Sequence, residues 1–141
     1  MKNLKTLSSP ERQTDLFLLV ANDDIRHYIS QLCEKNNYRP LITVDLEELA
    51  EKTKRMHSAI VFVDYEVVNT YGARMYSRIN VACPRCDVIL LCDQAHRTFI
   101  KEAMELGVYA SILAPYEEWE VLTIIRNILT GKKKRRPKKL R

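Results

Sequence analysis

Five short apolar runs, at residues 16–20, 41–44, 59–63, 88–92 and 110–113, alternate along this chain with segments of helical period. Runs this short suit buried strands better than buried helices, and no hairpin signal joins any two of them. Consecutive strands that are separated by helices cannot pair as hairpins. They call for right-handed crossovers and a parallel sheet covered on both faces. The chain is long enough, at 141 residues, to bury the core such a sheet needs.

The intervening segments carry their own start and stop signals. Asn22, Asp23 and Asp24 offer capping side chains ahead of Ile25, Tyr28, Ile29, Leu32 and Cys33, which recur at helical spacing up to Asn36 and Asn37. Asp45 can cap a second helix through Leu46, Leu49 and Ala50, ending near His57. A third helix is expected over residues 67–81 despite Gly72, and Pro84 breaks the chain before the fourth strand. The fourth helix should run over residues 94–106 into Gly107, which suits a left-handed cap. The last helix, residues 117–129, should bury Trp119, Leu122, Ile125 and Leu129 before Gly131 stops it. The expected fold class is α/β, a flavodoxin-like (βα)5 three-layer sandwich with five parallel strands in the order 2-1-3-4-5. That order puts the ends of strands one and three side by side, so Asn22, Asp23 or Asp24 should lie near Asp64, the carboxylate that closes the third apolar run.

Composition divides the chain into three parts: a polar leader at 1–13, a folded domain at 14–131 and a basic tail at 132–141. The formal net charge of +5 belongs to the tail, which carries eight cations and no acid; the remainder stands at −3. Such a block repels itself and is expected to be disordered in isolation. Lys132, Lys133, Lys134, Arg135, Arg136, Lys138 and Lys139 are its candidates for contact with nucleic acid or another anionic surface. No apolar stretch approaches the roughly 18 residues of a membrane span. The leader has no apolar centre for a signal peptide, so a cytoplasmic location is expected.

Three spacings on this five-fold pattern resemble the CheY-like receiver domains of two-component response regulators. Asp64 closes the third strand with Gly72 eight residues later; Gly107 precedes Pro115 by eight; and the aromatic Tyr116 follows that proline. The resemblance covers about residues 15–130. It implies that Asp64 is a phosphoacceptor for a histidine kinase and that an acidic pair after the first strand holds Mg²⁺. It also implies that a hydroxyl after the fourth strand and a lysine before the proline bind the phosphate. Several of those positions are altered. The lysine is Ala114, the hydroxyl is Cys92, the next residue is Asp93, and the aromatic of the fifth strand is Ser111. Direct continuation of the first strand puts Ala21 and Asn22 at the acidic pair. A shortened loop would let Asn22 and Asp23, or Asp23 and Asp24, serve with Asp64 as metal ligands.

The expected function is thus an atypical receiver module in phosphorelay-type signalling, working by protein–protein contact with little or no phosphorylation of Asp64. The alternative is a working switch at Asp64 whose basic tail contacts nucleic acid or an anionic surface. The resemblance implies a kinase or a downstream protein as partner, and a contact or homodimer face on the fourth helix, fifth strand and fifth helix. Arg97, Lys101, Tyr109 and Trp119 are its candidates. A second exposed patch is expected from Tyr71, Tyr76 and Arg78 on the third helix. Cys83 and Cys86 form a Cys-x-x-Cys pair, but a strand of about 20 Å separates them from Cys92 and His96, too far for one tetrahedral zinc site. No Gly-rich phosphate loop or nucleophile–base order suggests an enzyme.

Overall fold

A computed structural model describes residues 14–131. In chain order the elements are β1 (Thr14–Leu19), α1 (Asp23–Lys35), β2 (Tyr38–Ile42), α2 (Leu46–Thr53), β3 (Ala59–Asp64), α3 (Tyr65–Tyr71), α4 (Arg74–Ala82), β4 (Cys86–Cys92), a 3₁₀ turn (Gln94–His96), α5 (Thr98–Glu105), β5 (Ala110–Leu113) and α6 (Glu118–Leu129). The strands form a single sheet in the order β2-β1-β3-β4-β5, and every neighbouring pair is parallel. This is the flavodoxin-like order expected from the alternation of strands and helices.

Alternation along the strands divides the core in two. Leu16, Leu18, Ile60, Phe62, Ile89 and Leu91 face one side, where Ile29 and Cys33 of α1 and Val121 and Ile125 of α6 complete the cluster. Phe17, Leu19, Val61, Val63, Leu90 and Cys92 face the other, against Leu49 of α2, Met75 and Ile79 of α4 and Ala103 of α5. All six residues of β3 are buried, because this strand lies at the middle of the sheet and is covered on both faces.

Four expectations need correction. β2 starts three residues earlier than its apolar run and ends at Ile42, because its register with β1 pairs Thr14 with Tyr38 and Leu18 with Ile42. Pro40 is accommodated because β2 is an edge strand, where a missing N–H breaks no ladder. The third helix is two helices. Gly72 adopts φ 80°, a left-handed value that few other residues hold, and breaks the segment into α3 and α4. Tyr76 is consequently a core residue rather than part of an exposed patch. Finally, Trp119 and Leu129 are 66% and 45% exposed and Leu122 is half-buried, whereas Ile125 is buried as expected, with Val121 beside it on the buried face of α6.

Candidate functional site

The carboxyl ends of β1, β3, β4 and β5 meet around Asp64. Strand β3 delivers this residue fully buried to the first position before α3, where its extended backbone serves as the helix N-cap. Oδ1 accepts the Ala21 N–H at 3.1 Å and the Val67 N–H at 3.2 Å, while Oδ2 accepts the Asn22 N–H at 2.9 Å. Three backbone donors thus surround one carboxylate. They tie the β1–α1 turn to the β3–α3 turn, as charge-assisted bonds that are stronger than neutral ones.

Asn22 extends the same junction. Its Oδ1 caps α1 by accepting the Ile25 N–H at 3.0 Å, and its Nδ2 donates to Glu66 Oε2 at 3.0 Å. Asp23 and Asp24, the candidate metal ligands, do not join Asp64. The Asp23 side chain is 86% exposed and pairs with Arg26. Arg26 Nη1 in turn donates to the Val20 carbonyl at 2.9 Å. Asp24 is exposed on the first turn of α1. Of Asn22, Asp23 and Asp24, only Asn22 reaches the central carboxylate, through its backbone N–H.

On the β4 side the Cys92 thiol donates to the His96 carbonyl at 3.0 Å, so it serves the following turn. Asp93 caps that turn. Its Oδ1 accepts the His96 N–H at 2.9 Å and lies 2.6 Å from His96 Nδ1. The His96 bond holds the Asp93 carboxyl below the usual carboxylate range, and a bond from Tyr65 adds to the effect. Tyr65, the residue after Asp64, stacks on the His96 ring with centroids 4.3 Å apart. On the β5 side, the Ala114 N–H and the Tyr116 hydroxyl both donate to the Cys92 carbonyl, at 2.9 and 2.8 Å. The Ala114–Pro115 peptide is cis, and the Tyr28 hydroxyl donates to the Tyr116 carbonyl at 2.6 Å.

Solved structures share this fold. A response regulator from Thermotoga maritima matches with a TM-score of 0.70 at 17% identity, over 85% of this chain and all of that one. A signal receiver domain of an HD domain-containing protein from Pseudomonas fluorescens Pf-5 matches at 0.69 and 21%, over 84% and 96%. A CheY-like protein (tadZ) from Pseudomonas aeruginosa PAO1 matches at 0.69 and 16%, over 82% and 99%. The fold is that of a CheY-like receiver domain. No family model matches the chain. Among curated proteins, the chain is 26% identical over 117 residues to Protein CcdB of Bacillus subtilis (strain 168), covering 79% of this chain and 96% of that protein.

Within the receiver fold, the α5–β5–α6 face corresponds to the expected contact face. Arg97 and Lys101 are exposed there and Tyr109 is half-buried. Met104, Leu106 and Trp119 are 43%, 51% and 66% exposed. Ser111, at the position of the strand-five aromatic, donates its hydroxyl to Met104 Sδ at 3.6 Å. Tyr71 accepts the Leu46 N–H through its hydroxyl and Arg78 pairs with Glu47, so these two residues join α2 to α3 and α4. Cys83 is buried and Cys86 half-buried at the start of β4. Burial pushes the Cys86 thiol up, away from the reactive thiolate. Burial likewise pushes Cys33 up to about 12. Among the described residues no three His, Cys, Asp or Glu side chains are placed to hold a metal ion, and no helix is long and apolar enough to cross a membrane. The tail candidates, Lys132 to Lys139, lie outside the described residues.

Arg26, Tyr65 and the Asp93–His96 pair are the site residues that sequence reading missed. Asp23–Arg26 and Asp93–His96 are both i,i+3 pairs at helix or turn starts, a spacing that was available as a signal. The stack of Tyr65 on His96 had none, since it joins two different strand ends.

The Asp93 contact has a testable pH signature. A carboxyl held low in the folded state contributes stability above its unfolded value, about 3.9, and that contribution is lost as pH falls through the lower folded value. In thermal melts taken as pH falls from about 6 through that unfolded value, the stability gap between the native chain and Asp93→Asn should therefore narrow. A gap that stays constant across the range would refute this role.

Proposed function

We propose that this chain is a receiver-fold signalling module that acts by binding other proteins, and that Asp64 maintains the shape of the site without accepting a phosphoryl group. The observation that carries this reading is that backbone amides already engage most of the carboxylate's lone pairs. Both lone pairs of Oδ1 are engaged by the Ala21 and Val67 amides, and Oδ2 holds the Asn22 amide with one lone pair left.

The surrounding residues do not fit a Mg²⁺ ion. Mg²⁺ seeks an octahedron of oxygens that includes one or two carboxylates. The acidic-pair positions hold Ala21 and Asn22, Asp23 is turned to Arg26, and the Arg26 cation already sits on the Val20 carbonyl. Ala114 brings no cation, and the Cys92 thiol is turned to the His96 carbonyl. Preorganised groups of this kind are each worth factors of about a hundred or more in rate. Their joint absence supports contact rather than phosphoryl transfer.

The partner surface we favour is the α5–β5–α6 face, where Met104, Leu106 and Trp119 present apolar side chains to solvent beside the exposed cations Arg97 and Lys101. Aromatic residues and arginine are enriched at such contacts. A kinase, a downstream regulator or a second copy of the chain, met in the cytoplasm, would engage there.

The deciding experiment is a titration with Mg²⁺ and beryllofluoride, followed by tyrosine and tryptophan fluorescence and by amide shifts around Asp64. No saturable change is expected. Saturable binding that disappears in Asp64→Asn would overturn the proposal and establish the phosphoacceptor alternative.

A further inference from the structure

An apolar groove of about 340 Å³ opens between the first turns of α1 and the chain that enters α6. Ile25, Tyr28, Pro115 and Tyr116 form its floor, and Asp24 and Glu117 form its rims. Both rim carboxylates are exposed, and neither has an ion-pair partner among the described residues. Its chemistry calls for an apolar side chain flanked by cations.

The chain contains such a segment. Residues 14–131 carry twelve cations against seventeen anions, whereas residues 132–141 carry eight cations and no anion. Within those ten residues only Pro137 and Leu140 are uncharged, and Leu140 stands between Lys139 and Arg141. The segment starts close enough to reach. Helix α6 has 12 residues, so it ends about 18 Å from its start, and ten extended residues span about 33 Å. Gly131, at φ 77°, donates its N–H to the Ile128 carbonyl, the left-handed turn that leads a chain away from a helix axis. The leader at residues 1–13 suits the groove less well, because it carries only three cations and one acid.

We propose that the basic C-terminal segment docks within its own molecule in this groove, with Leu140 on the apolar floor and Lys138, Lys139 and Arg141 against Asp24 and Glu117. Docked there, the cations are withheld from any external polyanion, and a polyanion must compete with the acidic rims to engage them. Attraction between exposed charges weakens as salt shortens the Debye length, so the docked state is favoured at low ionic strength.

The test uses the full-length chain, labelled with ¹⁵N, beside its full-length Leu140→Ser variant. The amides of Asp24, Ile25, Tyr28 and Glu117 are expected to shift in the variant. They should move in the same direction when salt is raised from about 50 to 500 mM, independently of protein concentration. Shifts confined to residues beyond Leu129 would overturn the proposal. Shifts at the groove that grow with concentration would overturn it as well, since they place the segment on a second copy. In a separate arm, full-length Asp24→Lys/Glu117→Lys should be cut by trypsin within residues 132–141 about fivefold faster than the native chain, because cleavage follows the undocked fraction. An unchanged rate would count against docking.

Discussion

Replacing Asp64 by Asn is expected to destabilise the chain by about 2–4 kcal/mol, the range for removing one acceptor from a buried, charge-assisted set. The substitution is nearly isosteric, so packing is preserved and hydrogen bonding alone is tested. An amide has one acceptor oxygen, whereas the carboxylate accepts from Ala21 and Val67 on one oxygen and from Asn22 on the other. Whichever way the Asn is turned, an NH₂ group meets at least one backbone N–H. Two donors then face each other at a side chain with no exposed surface. For a domain of this size the loss corresponds to a fall in Tm of roughly 8–16 °C. Urea denaturation of both proteins would measure it, and a difference below about 0.5 kcal/mol would show that the three amides do not depend on the charge. A carboxylate that served chiefly as a phosphoacceptor would not need to be so firmly built into two turns.

The second large effect is expected on restoring the acidic pair. The double substitution Ala21→Asp/Asn22→Asp places two carboxylates beside Asp64 and Glu66 and removes the bond from Asn22 Nδ2 to Glu66. Without a divalent ion, like-charge repulsion and the lost bond should cost about 2–4 kcal/mol. With Mg²⁺ the cluster acquires a counter-ion that can use the lone pair left on Asp64 Oδ2. At a hundredfold excess over its Kd the ion returns about 2.7 kcal/mol. The native chain should show no such dependence. Thermal melts of both proteins in chelator and in Mg²⁺ separate the outcomes. If Mg²⁺ fails to stabilise the double variant, the missing acids are not what keeps metal away, and the Arg26 cation at the Val20 carbonyl becomes the reason to examine.

Most of the fold could be read from residue patterns because it depends on local periodicity. The apolar runs of β1, β3, β4 and β5, and the caps Asn22 and Asp45, sit where their spacing indicated. β2 was displaced because an edge strand is placed by its partner's register more than by its own hydrophobicity. Helix three broke at Gly72 because one left-handed residue outweighs the helical preference of its neighbours. Trp119 illustrates a different limit. On a helix with apolar residues on several sides, periodicity does not distinguish the face that meets the sheet from the face left in water. The site was less legible than the fold. The position of Asp64 followed from β3, but its three donors are backbone amides, which leave no trace in residue identity. The Tyr65–His96 stack joins residues 31 apart in sequence through the sheet alone.

The exposure of Trp119 also has a spectroscopic consequence. It is the only tryptophan in the chain, and its indole is 66% exposed, whereas the aromatic residues of the core are Phe17, Phe62 and Tyr76. Its emission should therefore change little when the domain unfolds, so a melt followed by that signal would understate the transition. The same indole should shift to the blue when a protein covers the α6 surface. The molecule thus carries its own optical reporter for occupancy, at a place where the folding transition contributes almost no background.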